Sequence, residues 1–236
     1  MGKKNVFAAL GVAGLILVAA PAAADHHLMR IVQVYAGDVT HPDAQYVVLQ
    51  MCFGGQNVLA GHDIGFFDAA GAAIGSPVAF QTNVASGNSQ DRVFIATSSA
   101  VALFGVAADL LMPARILPVG GKLCFEPGVS PVDCFGWGNY SALPDPTIGT
   151  PFDAGIGITP GDAEQRSLSI DPDGGSSTLE CIAPAIDDTN DSANDFGPTT
   201  PNPGNNAGSS GFIHPNHVFL HGFESGASAG WSTVVP

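Results

Sequence analysis

The chain has 236 residues, of which 45% are hydrophobic and 12% charged, and its 21 acidic and seven basic side chains give a formal net charge of −14. A field of this sign repels phosphate backbones and anionic lipid headgroups, which argues against nucleic-acid and membrane-surface roles. Thirty glycines and 18 prolines, together with an ample apolar fraction, are typical of an all-β domain with many turns rather than of a disordered chain.

Residues 1–24 have the three parts of a secretory signal peptide. Lys3 and Lys4 are positive, residues 6–18 form an apolar run, and three alanines at 22–24 supply the small residues of a cleavage site. The apolar run is shorter than the roughly 20 residues that a membrane-spanning helix requires. We therefore expect a chain that is secreted, periplasmic or held at the cell surface, and that is not inserted in a membrane after cleavage. A retained N-terminal anchor is the alternative.

Short segments rich in β-branched and aromatic residues alternate with turn residues along the next part of the chain, which predicts strands. The predicted strands are 28–35, 45–53, 64–68, 73–80, 92–96, 122–125, 132–140 and, as a sheet edge, 167–170. Ser98 or Ser99 can cap a helix whose apolar positions continue to Leu111 and which Pro113 ends. Many short strands and one brief helix predict a sandwich or a barrel.

The composition changes at about Asp187, after which Asp, Asn, Ser, Pro and Gly predominate as far as Gly211. Little of this stretch can be buried, except Phe196, which we expect to pack back on the domain. Residues 202–211 are interpreted as a linker, and residues 212–236 as a separate short C-terminal segment.

The run from Met29 to about Asn206 resembles bacterial lamin-tail-like domains. The similar segments are MRIVQVY at 29–35, QYVVLQ at 45–50, LAG at 59–61, FDAAG at 67–71, CFGWGN at 134–139, DSANDF at 191–196 and PNPGN at 201–205. Val48 stands where members typically carry an acidic residue. The resemblance implies that residues 25–201 form an immunoglobulin-like β-sandwich, usually an accessory or interaction module of exported proteins. It supplies no catalytic residues. We therefore expect an all-β fold, namely an immunoglobulin-like β-sandwich with one short helix and an irregular C-terminal tail.

The tail VFLHGFESG at 218–226, followed by Trp231 and Ser232, resembles a recurrent C-terminal motif of exported bacterial proteins. Members often carry Asp where His221 stands. The tail lacks the hydrophobic helix and basic end of known sorting tags, so covalent anchoring is not implied. A small hairpin or docking strand is the simplest interpretation.

Four cysteines in an exported chain predict two disulfides, for which three pairings exist. The turn-like Glu-Pro-Gly at 126–128 favours Cys124 with Cys134, because it would bring two strands side by side. Cys52 with Cys181 then follows by elimination. Free buried thiols are the alternative. The absence of any CxxC spacing argues against a zinc cluster.

One loop concentrates oxygen ligands of the kind that suit calcium. They belong to Asp187, Asp188, Asp191 and Asp195, together with Asn190 and Asn194. Asp171 and Asp173 form a second acidic patch. The spacing does not fit the EF-hand pattern, and Asp and Asn also stabilise turns by bonding their own backbone. Calcium binding and a structural turn are therefore both open.

Cleavage after Ala24 would leave Asp25, His26 and His27 behind a free amino group. The imidazole at the third position can complete a planar four-nitrogen site with the amine and two deprotonated amides, a geometry that copper(II) and nickel(II) favour. This predicts a copper or nickel site at the processed terminus, provided that the cut falls at this bond.

Two other groups of residues have a functional and a structural interpretation. His214, His217 and His221 could bind metal, but Pro215 disfavours a helical zinc arrangement, and solvated histidines are the simpler interpretation. Trp137 and Trp231 could stack on sugars, although Trp137 lies in a predicted strand, where core packing is favoured.

No hydrolytic or phosphate-binding motif is present, since residues 222–226 are one position out of register with a nucleophile elbow. We therefore expect a secreted non-catalytic module with an interaction or structural role, whose partner is a protein or glycan at the cell surface, and which needs no cofactor except, in one interpretation, calcium. An extracellular carbohydrate- or calcium-binding module is the main alternative. A hydrolase with a dispersed site is the third.

Overall fold

A computed structural model describes residues 26–168 and 188–212. Its strands in chain order are β1 (Met29–Tyr35), β2 (Tyr46–Met51), β3 (Asp63–Asp68), β4 (Val78–Ala79), β5 (Arg92–Ala96), β6 (Leu110–Leu111), β7 (Gly120–Phe125), β8 (Asp133–Gly138), β9 (Ala163–Arg166) and β10 (Phe196–Thr199). Two short helices, α1 (Ser98–Phe104) and α2 (Ser192–Asp195), and a 3-10 turn at His26–Leu28 complete the described elements. None of these helices is long and apolar enough to cross a membrane.

The strands form two sheets, which confirms the predicted all-β sandwich. The larger sheet has the order β10-β9-β1-β2-β5-β6, and the smaller one has the order β4-β3-β7-β8. Every pairing between these strands is antiparallel except β5 with β6. The main apolar core lies between the sheets, where Phe66, Phe125 and Phe135 are buried beside Trp137. Trp137 therefore belongs to the core, as the strand pattern predicted, and its indole Nε1 donates to the carbonyl of Leu117 at 2.8 Å.

The larger sheet is covered on both faces, and β1 shows how the sequence achieves this. Ile31 and Val34 belong to the inter-sheet core, whereas Val32 and Tyr35 belong to a second apolar cluster on the outer face. A strict two-residue alternation could not place Ile31 and Val34 on one side. The pairing of β1 with β2 shifts register between Ile31 and Gln33, and this irregularity moves the alternation by one position.

Helix α1 covers the outer face of the larger sheet and is shorter than predicted. Its N-cap is Thr97 rather than a serine, and the Thr97 side chain accepts from the Ala100 amide. The helix ends at Phe104 because Gly105 adopts a left-handed conformation, with φ of 69°. The prediction that the helix continues to Leu111 is therefore wrong, since Leu110 and Leu111 form β6 beside β5.

Three other predicted elements differ from the structure. The strand predicted at 73–80 is reduced to β4, because Pro77 cannot donate to a strand partner. The strand predicted at 167–170 lies instead at 163–166, and it is an interior strand between β1 and β10; residues 169 and 170 lie outside the described part. Strand β10 was not predicted, because Gly197 and Pro198 disfavour strands. Its place at the edge of the sheet is where a proline is tolerated.

The segment predicted as a linker, 202–211, packs on the domain, so that interpretation is wrong for these residues. Asn206 accepts from the Ser86 amide at 2.6 Å and donates to the Ser86 carbonyl at 2.9 Å. Asn205 donates to the Ala107 carbonyl at 3.0 Å. Polar composition suggested a solvated chain, but these two buried amide side chains satisfy main-chain groups of the domain instead. The predicted leader, residues 1–24, and residues 213–236 of the C-terminal segment lie outside the described residues.

Candidate functional site

A buried arginine connects three strands from both sheets. Arg166 of β9 has a side chain that is 1% exposed, and its Nη2 donates to both carboxylate oxygens of Asp133, at 2.8 and 2.9 Å. Its Nε donates to the Ile31 carbonyl at 2.9 Å, and Asp133 accepts from the Ile31 amide at 2.7 Å. Burial raises the pKa of Asp133 to about 6, while the positive charges of Arg166 and Arg30 act in the opposite direction.

The same arginine receives the acidic loop that the sequence offered as a calcium site. Asp195 accepts from Arg166 Nη1 at 3.2 Å and from the Thr189 hydroxyl at 2.7 Å. Asp188 lies 3.3 Å from Arg166 Nη1 and 2.8 Å from Arg30 Nε. The guanidinium groups of Arg166 and Arg30 thus lie where a calcium ion bound by Asp195 and Asp188 would have to be.

Asp191 of the same loop does not join this cluster. Asp191 is the N-cap of α2 and accepts from the Ala193 amide, which is the turn-stabilising role that the sequence left open. Asp187 lies outside the described residues, as do Asp171 and Asp173. The contacts therefore support the structural interpretation of the loop around Asp188 and Asp195.

A second acidic group, which the sequence did not indicate, surrounds a cavity beside β9. Glu164 is 1% exposed, and its Oε2 has no hydrogen-bond partner among the described residues. Burial, with additional repulsion from Asp162 and Asp153, raises the pKa of Glu164 to about 7. The cavity has a volume of about 370 Å³, and the residues that line it with Glu164 are Phe152, Asp153, Thr159, Asp162, Ala193 and Pro198.

The histidines of the predicted copper or nickel site lie in the 3-10 turn at His26–Leu28, and Asp25 lies outside the described residues. The ring of His26 lies against that of His62 at an interplanar angle of 37°, with 3.5 Å between the ring centroids. Nδ1 of His62 lies 2.9 Å from Oε1 of Glu126. One ligand atom from each of His26, His62 and Glu126 lies within 4.8 Å of the others. The structure thus gives His26 two neighbours, His62 and Glu126, that are distant from it along the chain.

The predicted disulfide between Cys124 and Cys134 is present. These cysteines are directly opposite each other in the pairing of β7 with β8, and their Cα atoms are 4.1 Å apart. No cysteine of the described part is free. Cys52 is buried, whereas Cys181, its predicted partner, lies outside the described residues. Other candidates that also lie outside them are His214, His217, His221 and Trp231.

The residues that sequence reasoning missed share one property, which is that their partners are distant along the chain. Arg166 meets Asp133 across 33 residues and Ile31 across 135. His62 and Glu126 are separated by 64 residues. One signal was available: an arginine in a chain with only seven basic residues is a candidate for a buried ion pair.

Comparison with known proteins adds no relative. No family model matches the chain, and neither the curated proteins nor the solved structures contain a significant match. The resemblance to lamin-tail-like domains therefore depends on the sequence segments alone.

Proposed function

We propose that this chain is an exported, non-catalytic β-sandwich module that binds a partner outside the cytoplasm. The observation that carries the proposal is the use of the buried charges around Arg166. Arg166, Asp133 and Asp195 direct their polar atoms to one another and to main-chain groups of neighbouring segments, so they hold strands together. A general acid or base must instead face a space that a substrate can enter.

Export is supported by the leader-like residues 1–24 and by the disulfide between Cys124 and Cys134, since disulfides persist mainly in oxidising compartments. The cleavage expected after Ala24 can be tested directly by mass spectrometry of the chain recovered from the culture medium or the periplasm. Replacing Ala22 and Ala24 by leucine should leave an uncut precursor. Retention of both forms inside the cell would contradict export.

An interaction role is supported by exposed apolar side chains on two loops that contact each other. Leu117 and Val119 are 44% and 63% exposed, and Ile156 on the second loop is 70% exposed. The loops meet through a hydrogen bond from the Ile158 amide to the Pro118 carbonyl at 2.9 Å. Apolar side chains held close together at the surface are typical of protein-binding sites. We therefore infer a protein partner that contacts these loops.

The test is binding of the fluorescently labelled processed chain to intact cells of the producing culture. The variant carrying Val119→Ser and Ile156→Ser should bind at least tenfold more weakly than the wild type. Val129→Ser is the matched control, because Val129 is a fully exposed valine on a different loop. Equal binding by all three proteins, or no binding by any of them, would refute the proposed surface.

A second candidate function, calcium binding, is favoured by the cavity beside β9 rather than by the acidic loop. Glu164, Asp162 and Asp153 provide oxygen ligands there, and the Glu164 Oε2 has no hydrogen-bond partner among the described residues. A calcium titration should then raise the melting temperature of the wild type but not that of Glu164→Gln. A response that is lost in Asp191→Asn and kept in Glu164→Gln would assign calcium to the loop instead.

A further inference from the structure

We propose that His26, His62 and Glu126 form a binding site for a divalent transition-metal ion, with zinc(II) as the best-matched ion. Two imidazoles and one carboxylate are a ligand set that zinc uses with a fourth position open to water. Zinc–nitrogen distances of about 2.0–2.1 Å place neighbouring ligand atoms of a tetrahedral site about 3.3 Å apart. The three ligand atoms already lie within 4.8 Å of one another, so a small closure of side chains completes the set.

The three side chains come from three different segments, and the fold fixes each of them. His26 is in the 3-10 turn before β1, and the Leu28 amide of that turn donates to the Gln56 side chain at 3.0 Å. His62 directly precedes β3. Glu126 directly follows β7, and its amide donates to the Asp63 carbonyl at 2.9 Å. A site assembled in this way forms only in the folded domain, so metal binding should stabilise the fold.

Glu126 has a backbone conformation that is costly for a residue of its type. Its φ is 54°, in the left-handed region that non-glycine residues rarely adopt. The carboxylate is held in place because Oε1 accepts from the Asp63 amide at 3.0 Å as well as lying against His62. Strain of this kind persists where the surrounding contacts impose it, and it is concentrated at binding sites.

The electrostatic environment favours a cation. Asp63 directly follows His62, and its amide donates to Oε1 of Glu126 at 3.0 Å, so a second carboxylate adds negative charge beside the cluster. Binding a divalent cation next to Glu126 would reduce the repulsion between these two carboxylates. The side chains of His62 and Glu126 are 25% and 29% exposed, so an ion can reach them from solvent.

This site is separate from the copper or nickel site predicted at the processed amino terminus. The latter needs the free amine, two deprotonated amides and the imidazole of His27, which is suited to copper(II) and nickel(II). The proposed site uses side chains only and needs neither the amine nor His27. The two sites can therefore be distinguished by substitution.

The experiment is calorimetric titration of the processed, exported chain with zinc chloride, followed by the absorption spectrum of the cobalt(II)-substituted protein. We expect one zinc ion per chain and, with cobalt, visible bands of a tetrahedral centre. His62→Ala and Glu126→Gln should each weaken zinc binding at least tenfold. Glu126→Gln keeps an oxygen that can accept from the Asp63 amide, so it should fold even if His62→Ala does not.

Two control variants make the result specific. His41→Ala removes a histidine whose Nδ1 lies 3.2 Å from Asp38, which is a comparable surface histidine–carboxylate pair, and it should leave zinc binding unchanged. His27→Ala should also leave it unchanged. Zinc binding that is lost in His27→Ala, kept in Glu126→Gln, or absent from the wild type would overturn the proposal.

Discussion

Replacing Glu164 by glutamine should stabilise the protein at alkaline pH and leave its stability unchanged in acid. The folded state raises the pKa of Glu164 from 4.5 to about 7, so it binds the proton more tightly than the unfolded chain does. The free energy of unfolding therefore falls as the pH rises from about 4.5 to about 7, and it is constant above that range. Since one pKa unit corresponds to about 1.4 kcal/mol, the ionised carboxylate costs about 3 kcal/mol.

The groups around Glu164 explain this cost. Asp162 and Asp153, on the loop that precedes β9, are the charges that act on it, and both are acidic. The residues directly opposite it on the neighbouring strands, Val34 and Pro198, are uncharged. Arg166 lies two residues along β9, but its guanidinium is directed to other carboxylates. Glutamine resembles the protonated acid and has no charge. It therefore avoids the cost of placing a buried negative charge near Asp162 and Asp153.

The assay is urea unfolding of wild type and Glu164→Gln at intervals from pH 4.5 to pH 8. The difference between the two free energies of unfolding should be close to zero at pH 4.5 and should approach about 3 kcal/mol at pH 8. Asp43→Asn, which removes the charge of an exposed carboxyl, is the matched charge-removal control. If the free energies of unfolding of wild type and Glu164→Gln change in parallel with pH, the raised pKa assigned to Glu164 is refuted. Titration of Asp133 affects both proteins and cancels in the difference.

Three further predictions concern stability and can be checked by chemical denaturation. Arg166→Met should lower the free energy of unfolding by about 3–5 kcal/mol, because it leaves the buried Asp133 carboxylate unpaired. Adding Asp133→Asn should restore part of this loss. A double variant whose loss equals the sum of the two single losses would contradict the prediction. Replacing Cys124 and Cys134 together by serine opens a loop of sequence separation 10 and should cost about 2–3 kcal/mol, and an unchanged midpoint would argue against it. Thr97→Ala should cost about 1–2 kcal/mol through the lost helix cap, whereas Thr97→Ser should cost less.

Elements that depend on local sequence were predicted well. Strand β5 has the predicted limits, and β1 and β3 differ from the prediction by one residue at the start. The disulfide between Cys124 and Cys134 followed from a three-residue turn between two strands. In each of these cases the information lies within about ten residues of chain, where periodicity and turn chemistry decide the outcome.

Features that depend on tertiary contact could not be predicted in the same way. The helix prediction extended past Gly105 because apolar spacing continued, although a glycine at this position permits the left-handed residue that ends a helix. Residues 205 and 206 had the composition of a linker, and only the main-chain groups that they meet at Ser86 and Ala107 show that they belong to the domain. Sequence distance also concealed the partners of Arg166 and His62, since nothing local marks an ion pair or a ring contact between segments.

The order of strands in the larger sheet constrains when the domain can complete its fold. Strand β1 is the first strand of the domain along the chain, yet one of its two neighbours is β9, with Gln33 donating to Gln165 across 132 residues. If the chain is exported, as we propose, and leaves a translocation channel amino end first, β1 and β2 can pair early, but the other edge of β1 stays open until β9 has emerged. Contacts over such sequence distances form slowly. In the export that we propose, the polypeptide would therefore stay unfolded until β9 has emerged, and it would close around Arg166 only on the far side of the membrane.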